Sequence, residues 1–250
     1  MERFLSDGIE IAYEVTGEGE PVLLVHGFAS NMQVNWKGTG WVDTLVSAGR
    51  QVIIYDNRGH GYSEKLYDMM NYSGKLMAED AARLLAHLGV ERADIMGYSM
   101  GARICAFLAF ANPGLVRSVV FGGMGENMIL GTGDPEPIAE ALEAASIDDV
   151  TTKRGRMFRA FAERTGSDLR ALALCMRAPR PKVSLQMLKI LPMPVLVVAG
   201  EDDTVSGSAE ALAGIIPHGE ALTLPGRDHM STVIDKTYKA AVVKFLNEHS

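Results

Sequence analysis

The pentapeptide Gly97-Tyr98-Ser99-Met100-Gly101 joins a short run of strand character, residues 93–96, to an alanine-rich apolar stretch, residues 100–112. A chain that passes from strand to helix across a single serine must bend sharply. The bend throws the hydroxyl outward at the end of a sheet, above the first turn of the helix. The glycines on either side carry no Cβ, which removes the atoms that would collide as strand and helix fold together. The unit constrains the chain to an architecture in which strands feed directly into helices.

The rest of the sequence supplies that architecture. Residues 4–6 and 9–15 flank Asp7-Gly8 and predict a β-hairpin. Continuous apolar runs at residues 22–25 and 51–55 read as parallel strands buried on both faces, and residues 116–121, 195–199 and 220–224 give further strands. Residues 41–48 form a helix ended by Gly49. Met77, Ala81, Leu84, Leu85 and Leu88 recur at helical spacing up to Gly89, with Glu79 and Arg83 paired on the wet side. A helix over 208–216 and a closing helix marked by Ile234, Tyr238, Ala241, Val242 and Phe245 complete the alternation. Strands alternating with helices predict an α/β fold with a mostly parallel, doubly wound sheet.

Residues 124–191 break the rhythm. They contain no buried strand but four helical stretches, at 137–145, 153–163, 168–176 and 184–190, with Pro135, Pro137, Pro179, Pro181, Pro192 and Pro194 as punctuation. This divides the chain into a core of residues 1–123 and 192–250 and an inserted helical cap, residues 124–191, that shapes a substrate cavity. Met124, Met128, Met157, Phe158, Phe161, Met176 and Met187 are its candidate lining, or else they join cap to core.

Composition excludes several classes. Hydrophobic residues make up 47% of the 250 and charged residues 22%, as in ordinary soluble globular proteins. The net charge of −7, without a basic stripe, argues against nucleic acid as a partner. Two cysteines give no disulfide framework, and Cys105, among Ala102, Ala106 and Ala109, reads as a buried thiol. No leader-like apolar region opens the chain and no run approaches the ~18 residues of a membrane span, so the expectation is a cytoplasmic protein without a membrane partner. The acidic stretch 134–143 reads as a wet face. No residues have metal-ligand spacing, and no cofactor is expected. Monomer and homodimer both remain open.

Acyl transfer needs a nucleophile, a base, a group that orients the base and donors for the oxyanion. Ser99 supplies the hydroxyl. His229 lies in the polar loop Gly226-Arg227-Asp228-His229, after the last strand. Asp203 lies just past strand 195–199, in Gly200-Glu201-Asp202-Asp203, with Asp202 as its rival and Glu126, after the preceding strand, as a further possibility. The order serine, acid, histidine suits this scaffold. Backbone N–H groups of Met100, after the serine, and Phe28, in the loop after His26-Gly27, would receive the oxyanion. His26 lies at the base of that loop and is a candidate substrate contact; His60 sits similarly in its own loop.

With these motifs the chain resembles the α/β-hydrolase family, in its small capped branch of esterases, lactonases, haloperoxidase-like perhydrolases and carbon–carbon bond hydrolases. Asp56-Asn57-Arg58-Gly59-His60-Gly61-Tyr62-Ser63 is similar to the family's D-x-R-G-H-G-x-S loop, which is structural. The resemblance implies an eight-stranded α/β-hydrolase fold and a cofactor-free serine hydrolase acting on a small-molecule ester or lactone. It leaves carbon–carbon hydrolysis, perhydrolysis and a non-catalytic ligand receptor as alternatives. Ala29 stands where perhydrolase-like members usually carry proline, the His26-Gly27-Phe28-Ala29-Ser30 loop lacks the extra glycines of carbon–carbon hydrolases, and Ser99 replaces the aspartate nucleophile of dehalogenases and epoxide hydrolases.

Overall fold

The structure, a computed structural model, describes residues 1–250. One sheet runs through it, built from β1 (Glu2–Ser6), β2 (Ile9–Thr16), β3 (Glu20–Val25), β4 (Arg50–Tyr55), β5 (Ala93–Tyr98), β6 (Val116–Gly122), β7 (Val195–Gly200) and β8 (Gly219–Leu224). The strand order is β1-β2-β4-β3-β5-β6-β7-β8. Only β1–β2 and β2–β4 pair antiparallel; all other neighbours are parallel. In the β1–β2 turn Asp7 and Gly8 have φ of 51° and 80°, the twin positive angles that a two-residue hairpin requires. The parallel strands β5 and β7 are buried at every position; β7 accordingly reads as an unbroken apolar run, while β5 carries one charge, Asp94, paired with Arg50 and Arg117.

From β3 the chain first goes outward to β4, then crosses back to lay β5 on the other side of β3. The strand order therefore reverses between β3 and β5. In open α/β sheets the crevice beyond the carboxyl ends of the strands at such a reversal is where ligands bind. Here those two ends carry His26-Gly27-Phe28 and Ser99.

The helices are α1 (Trp41–Ser47), α2 (Gly74–His87), α3 (Met100–Ala111), α4 (Asn127–Leu130), α5 (Glu136–Glu143), α6 (Lys153–Arg164), α7 (Leu169–Arg177), α8 (Leu185–Lys189), α9 (Ala209–Ala213), α10 (His229–Thr232) and α11 (Lys236–Glu248). Leu84, Leu85, Ile104, Leu108 and Leu212 pack on one face of the sheet in the larger core. Trp41, Leu45, Tyr238, Val242 and Phe245 cover the other in the smaller one. Helix α9 is shorter than the expected 208–216, and two short helical segments, Gln33–Lys37 and α10, have no periodicity long enough to announce them. No helix is long and apolar enough to cross a membrane.

Between β6 and β7 lie α4 to α8 and no strand. The side chains of Thr152, Asp168 and Ser184 accept the N–H groups of Gly155, Ala171 and Met187, which fixes where α6, α7 and α8 begin. At the other end of α5, the Arg159 guanidinium donates to the carbonyl oxygens of Ala141, Leu142 and Ala144 at 2.9, 3.1 and 2.8 Å. A cation there satisfies carbonyls that the helix leaves open. Ile138, Leu142, Ala162, Leu172 and Met176 form a core of their own, which Ala29, from the loop after β3, also joins.

The loop over residues 56–63 holds the segment that follows β3. Asp56 accepts Met32 N–H at 2.7 Å and Tyr62 N–H at 2.6 Å, and Asn57 N–H donates to His26 Nε2 at 3.0 Å. Arg58 is anchored on the buried Asp80 carboxylate through two hydrogen bonds of 2.7 Å.

Candidate active site

Ser99 occupies the corner between β5 and α3 at φ 56°, ψ −113°, a conformation that non-glycine residues hold only when their surroundings enforce it. Its N–H donates to Gly122 O on β6 at 2.8 Å, and its carbonyl accepts Ala102 N–H at 3.0 Å. Close packing does the rest. A Cβ on Gly97 would lie 2.2 Å from Gly101 O, and a Cβ on Gly101 would lie 2.0 Å from Val25 O. With both glycines in place, α3 comes against β3 and β5, and the hydroxyl points over the sheet edge.

His229 is the first residue of α10, not part of an open loop as the sequence suggests. Asp228 caps that helix, accepting the N–H groups of Met230 and Ser231 at 3.1 and 2.7 Å. The His229 ring places Nε2 3.0 Å from Ser99 Oγ and Nδ1 2.7 Å from Asp203 Oδ2. The Asp203 side chain is fully enclosed, and its other oxygen accepts Val205 and Ser206 N–H at 2.8 and 3.1 Å. Asp202 is exposed and makes no contact with His229, and Glu126 sits at the edge of the α4 turn, also without one. The three side chains expected to act together therefore form one unbroken hydrogen-bonded series, Asp203–His229–Ser99.

One further group, which no sequence pattern announces, holds the histidine. Tyr98 Oη donates to His229 O at 2.5 Å. Burial, then the Asp203 charge, holds the Tyr98 phenol far above its ordinary pKa, so it remains a donor. The residue before a serine elbow carries no pattern of its own; only the fold brings its ring under the histidine.

The N–H groups of Phe28 and Met100 have no acceptor among the turn, loop and cap hydrogen bonds of the protein. Met100 N–H is the first of the helix α3, where intrahelical partners are absent by construction. Phe28 packs edge-on against Phe158 of α6 with ring centroids 5.8 Å apart. Ala29, next in sequence, has φ 57°, and its carbonyl accepts Thr165 Oγ1 at 2.9 Å, tying the β3 loop to the end of α6.

These groups open on a cavity of about 430 Å³, large enough for a small organic ligand. Phe28, Ser99, Met100 and His229 line it from the sheet side, and Met124, Phe158 and Phe161 from the insertion. His26 and Met128, also expected there, are off its wall. The His26 ring is fully buried, with Nδ1 2.8 Å from Gly27 O and Nε2 taken by Asn57 N–H; burial lowers its pKa to about 4. Its two nitrogens are already spent on backbone. Met128 is buried in the main core beneath α4. No cluster of three or more His, Cys, Asp or Glu is arranged to hold a metal ion.

A model of the alpha/beta hydrolase fold matches residues 20–174. The chain is 28% identical to a non-heme chloroperoxidase of Kitasatospora aureofaciens over 97% of its own length and 98% of that protein. It is also 28% identical to a 2-hydroxymuconate semialdehyde hydrolase of Pseudomonas, covering 90% of this chain and 76% of that one. Among solved structures, a hydrolase from Pseudomonas aeruginosa superimposes with a TM-score of 0.82 at 25% identity, over 98% of this chain and 97% of the other. With the serine corner, the reversal of strand order beside it and the matched family model, the chain belongs to the α/β-hydrolase family.

Proposed function

We propose that this α/β hydrolase cleaves a carboxylic ester or lactone of a small molecule through an acyl-enzyme intermediate. The observation that carries the reading is the Asp203–His229–Ser99 series ending at the cavity wall. In this mechanism His229 Nε2 takes the Ser99 proton as Oγ attacks the substrate carbonyl carbon. The negative charge moves to the carbonyl oxygen, which accepts from Phe28 and Met100 N–H. Collapse breaks the ester bond, and His229 hands its proton to the departing alkoxide. A water then loses a proton to His229 and adds its hydroxide to the acyl carbon. Collapse of that second intermediate frees the acid, and the proton returns to Ser99. Asp203 holds the imidazole in the tautomer with Nδ1–H and stabilises it while it is protonated. Each oxyanion donor contributes about 3 kcal/mol to the transition state in sites of this kind.

Relatives named as haloperoxidases keep perhydrolysis in view, but the β3 loop weighs against it. A proline at position 29 needs φ near −65°. Ala29 has φ 57°, so the loop follows a path a proline cannot take. The helical insertion, read as a cap domain over residues 124–191, encloses the substrate and sets its length.

Initial rates on 4-nitrophenyl esters from acetate to decanoate, for wild type and Ser99→Ala, test the proposal. Turnover that disappears in Ser99→Ala, at an unchanged melting temperature, is the expected result. Equal rates in both proteins would refute the mechanism.

A further inference from the structure

The cavity wall is charged in one sense only. Arg103, Arg154, Arg164, Arg180 and Lys182 line it, and no aspartate or glutamate does, in a chain whose net charge is −7. Every buried or half-buried arginine away from the cavity has a carboxylate partner: Arg50 and Arg117 share Asp94, Arg58 has Asp80, Arg83 has Glu79, Arg159 has Glu163, and Arg177 has Glu136 and Glu143. Arg103, Arg154 and Arg180 have none. Each donates from one nitrogen to a backbone carbonyl, that of Asn127 (3.4 Å), Thr132 and Met176 (2.7 Å) respectively; Arg180 also touches Met176 Sδ and Arg154 lies 5.9 Å over the Phe158 ring, but most of their N–H donors stay free. All three line the same cavity, and Arg180 lies near both of the others. Burial, then the Arg180 charge, lowers the pKa of Arg103, and burial together with the Arg154 charge lowers that of Arg180.

Position gives these charges a purpose. Arg103 follows Ser99 by four residues at the start of α3, so its Cα is displaced about 6 Å along the helix axis on the same face. Guanidiniums without a carboxylate partner on the wall of a largely apolar cavity are a standing cost unless an anion completes them.

We propose that Arg103, Arg154 and Arg180 form an anion subsite, so that the substrate is an ester or lactone bearing a carboxylate or phosphate a few bonds from the scissile carbonyl. The subsite takes its orientation from the serine-hydrolase reading above, but its charge does not depend on it. A guanidinium fork binds either group by paired N–H donation. The anion anchors one end of the substrate and leaves the carbonyl over Ser99, which turns binding energy into alignment.

The test compares mono-4-nitrophenyl adipate, an anion, with neutral 4-nitrophenyl hexanoate, which has the same six-carbon acyl chain; Ser99→Ala supplies the background. The expected kcat/KM favours the adipate by about tenfold or more, mainly through KM. Added salt erodes the preference. In Arg103→Met and in Arg180→Gln the ratio falls toward one, and Arg103→Lys recovers part of it. Melting temperatures separate lost charge from lost fold, and Arg180, at the exposed rim, serves if Arg103→Met fails to fold. A second measurement is independent of turnover: calorimetric titration of Ser99→Ala with free adipate and with inorganic phosphate. Tighter adipate assigns a carboxylate, tighter phosphate assigns a phosphoryl group, and either supports the subsite. A kcat/KM ratio near one in wild type, or no binding of either anion to Ser99→Ala, overturns it. Loss of serine-dependent turnover on both esters with anion binding intact would sink the proposed function and leave the subsite standing.

Discussion

Lowering the pH from 7 to 5 will destabilise this protein through two buried histidines. His26 and His60 lie with ring centroids 5.3 Å apart, both out of contact with water. His26 uses Nδ1–H on Gly27 O at 2.8 Å and offers Nε2 to Asn57 N–H at 3.0 Å, so a second proton would break the latter bond. His60 donates Nδ1–H to Arg58 O at 3.0 Å, and its Nε2 has no partner at all. Burial pushes His26 down to about 4; burial, with the neighbouring His26 charge adding to it, pushes His60 down to about 3. Unfolded, each titrates near its ordinary value of about 6.5. Between about 4 and 6.5 the unfolded chain thus binds two protons that the native chain refuses, and stability falls as pH falls. Each pH unit below the unfolded value costs about 1.4 kcal/mol per ring until the native ring also takes its proton, so the drop from pH 7 to pH 5 costs about 2 kcal/mol for each. Burial raises the Asp56 pKa, which acts in the opposite sense. Its native form holds a proton more tightly than the unfolded form does, so it offsets part of the loss only as pH falls through its own raised range.

Urea denaturation at pH 7, 6 and 5 reads the effect as a falling midpoint. His60→Asn keeps a donor for Arg58 O on the Nδ1 side and removes one titrating group, so the slope of stability against pH should fall by about half. A midpoint that stays constant from pH 7 to 5, or a slope unaltered by His60→Asn, would refute the argument.

Two other substitutions follow from close contacts. Gly101→Ala puts a Cβ 2.0 Å from Val25 O and 2.8 Å from His26 O, both backbone atoms that cannot step aside, and should cost about 3 kcal/mol by overpacking; a melting temperature within a degree of wild type would contradict this. Arg58→Met leaves the buried Asp80 carboxylate with only the Ser6 hydroxyl and the more distant Arg83, at a cost of about 3 kcal/mol in urea melts, and replacing Asp80 by leucine as well should recover part of it.

What could be read from the sequence was whatever depends on neighbours along the chain. Strands β3, β4 and β7 were visible because parallel strands buried on both faces become continuous apolar runs, β1 and β2 because Asp7-Gly8 marks their hairpin, and the serine corner because two glycines must flank it. Insertion helices α6, α7 and α8 were placed within about a residue because capping is local: Thr152, Asp168 and Ser184 each bond to an N–H three residues on. The sequence put Asp203 first but left Asp202 as its rival. Adjacent carboxylates at the end of β7 are equivalent in pattern, and the turn that buries one and exposes the other is made by Val205 and Ser206 N–H. Met128 and Met124 were equally indistinguishable. Both are apolar residues just past β6 and both are buried in the main core, but only Met124 also reaches the cavity wall. The cavity arginines escaped for a related reason: a cation is ordinary in sequence, and only its lack of a partner in space gives it meaning.

Backbone strain in this protein is concentrated where the proposed chemistry needs it. Three non-glycine residues have positive φ: Asp7, Ala29 and Ser99. Asp7 belongs to a hairpin turn that calls for such an angle. The other two adjoin the two proposed oxyanion donors, Ala29 directly after Phe28 and Ser99 directly before Met100. Each such conformation costs of order 1–3 kcal/mol and persists only if its surroundings over-determine it. For Ser99 the restraint is the sheet itself, through Gly122 O and the packing of Gly97 on Gly101. For Ala29 it is partly the insertion, since Thr165 binds its carbonyl and the insertion core buries its methyl, while Asp56 and Asn57 hold residues on either side. The helical insertion therefore does more than cover the cavity. It helps hold the β3 loop that presents Phe28 N–H to the serine, which couples the helices proposed to enclose the substrate to the donors that would stabilise its transition state.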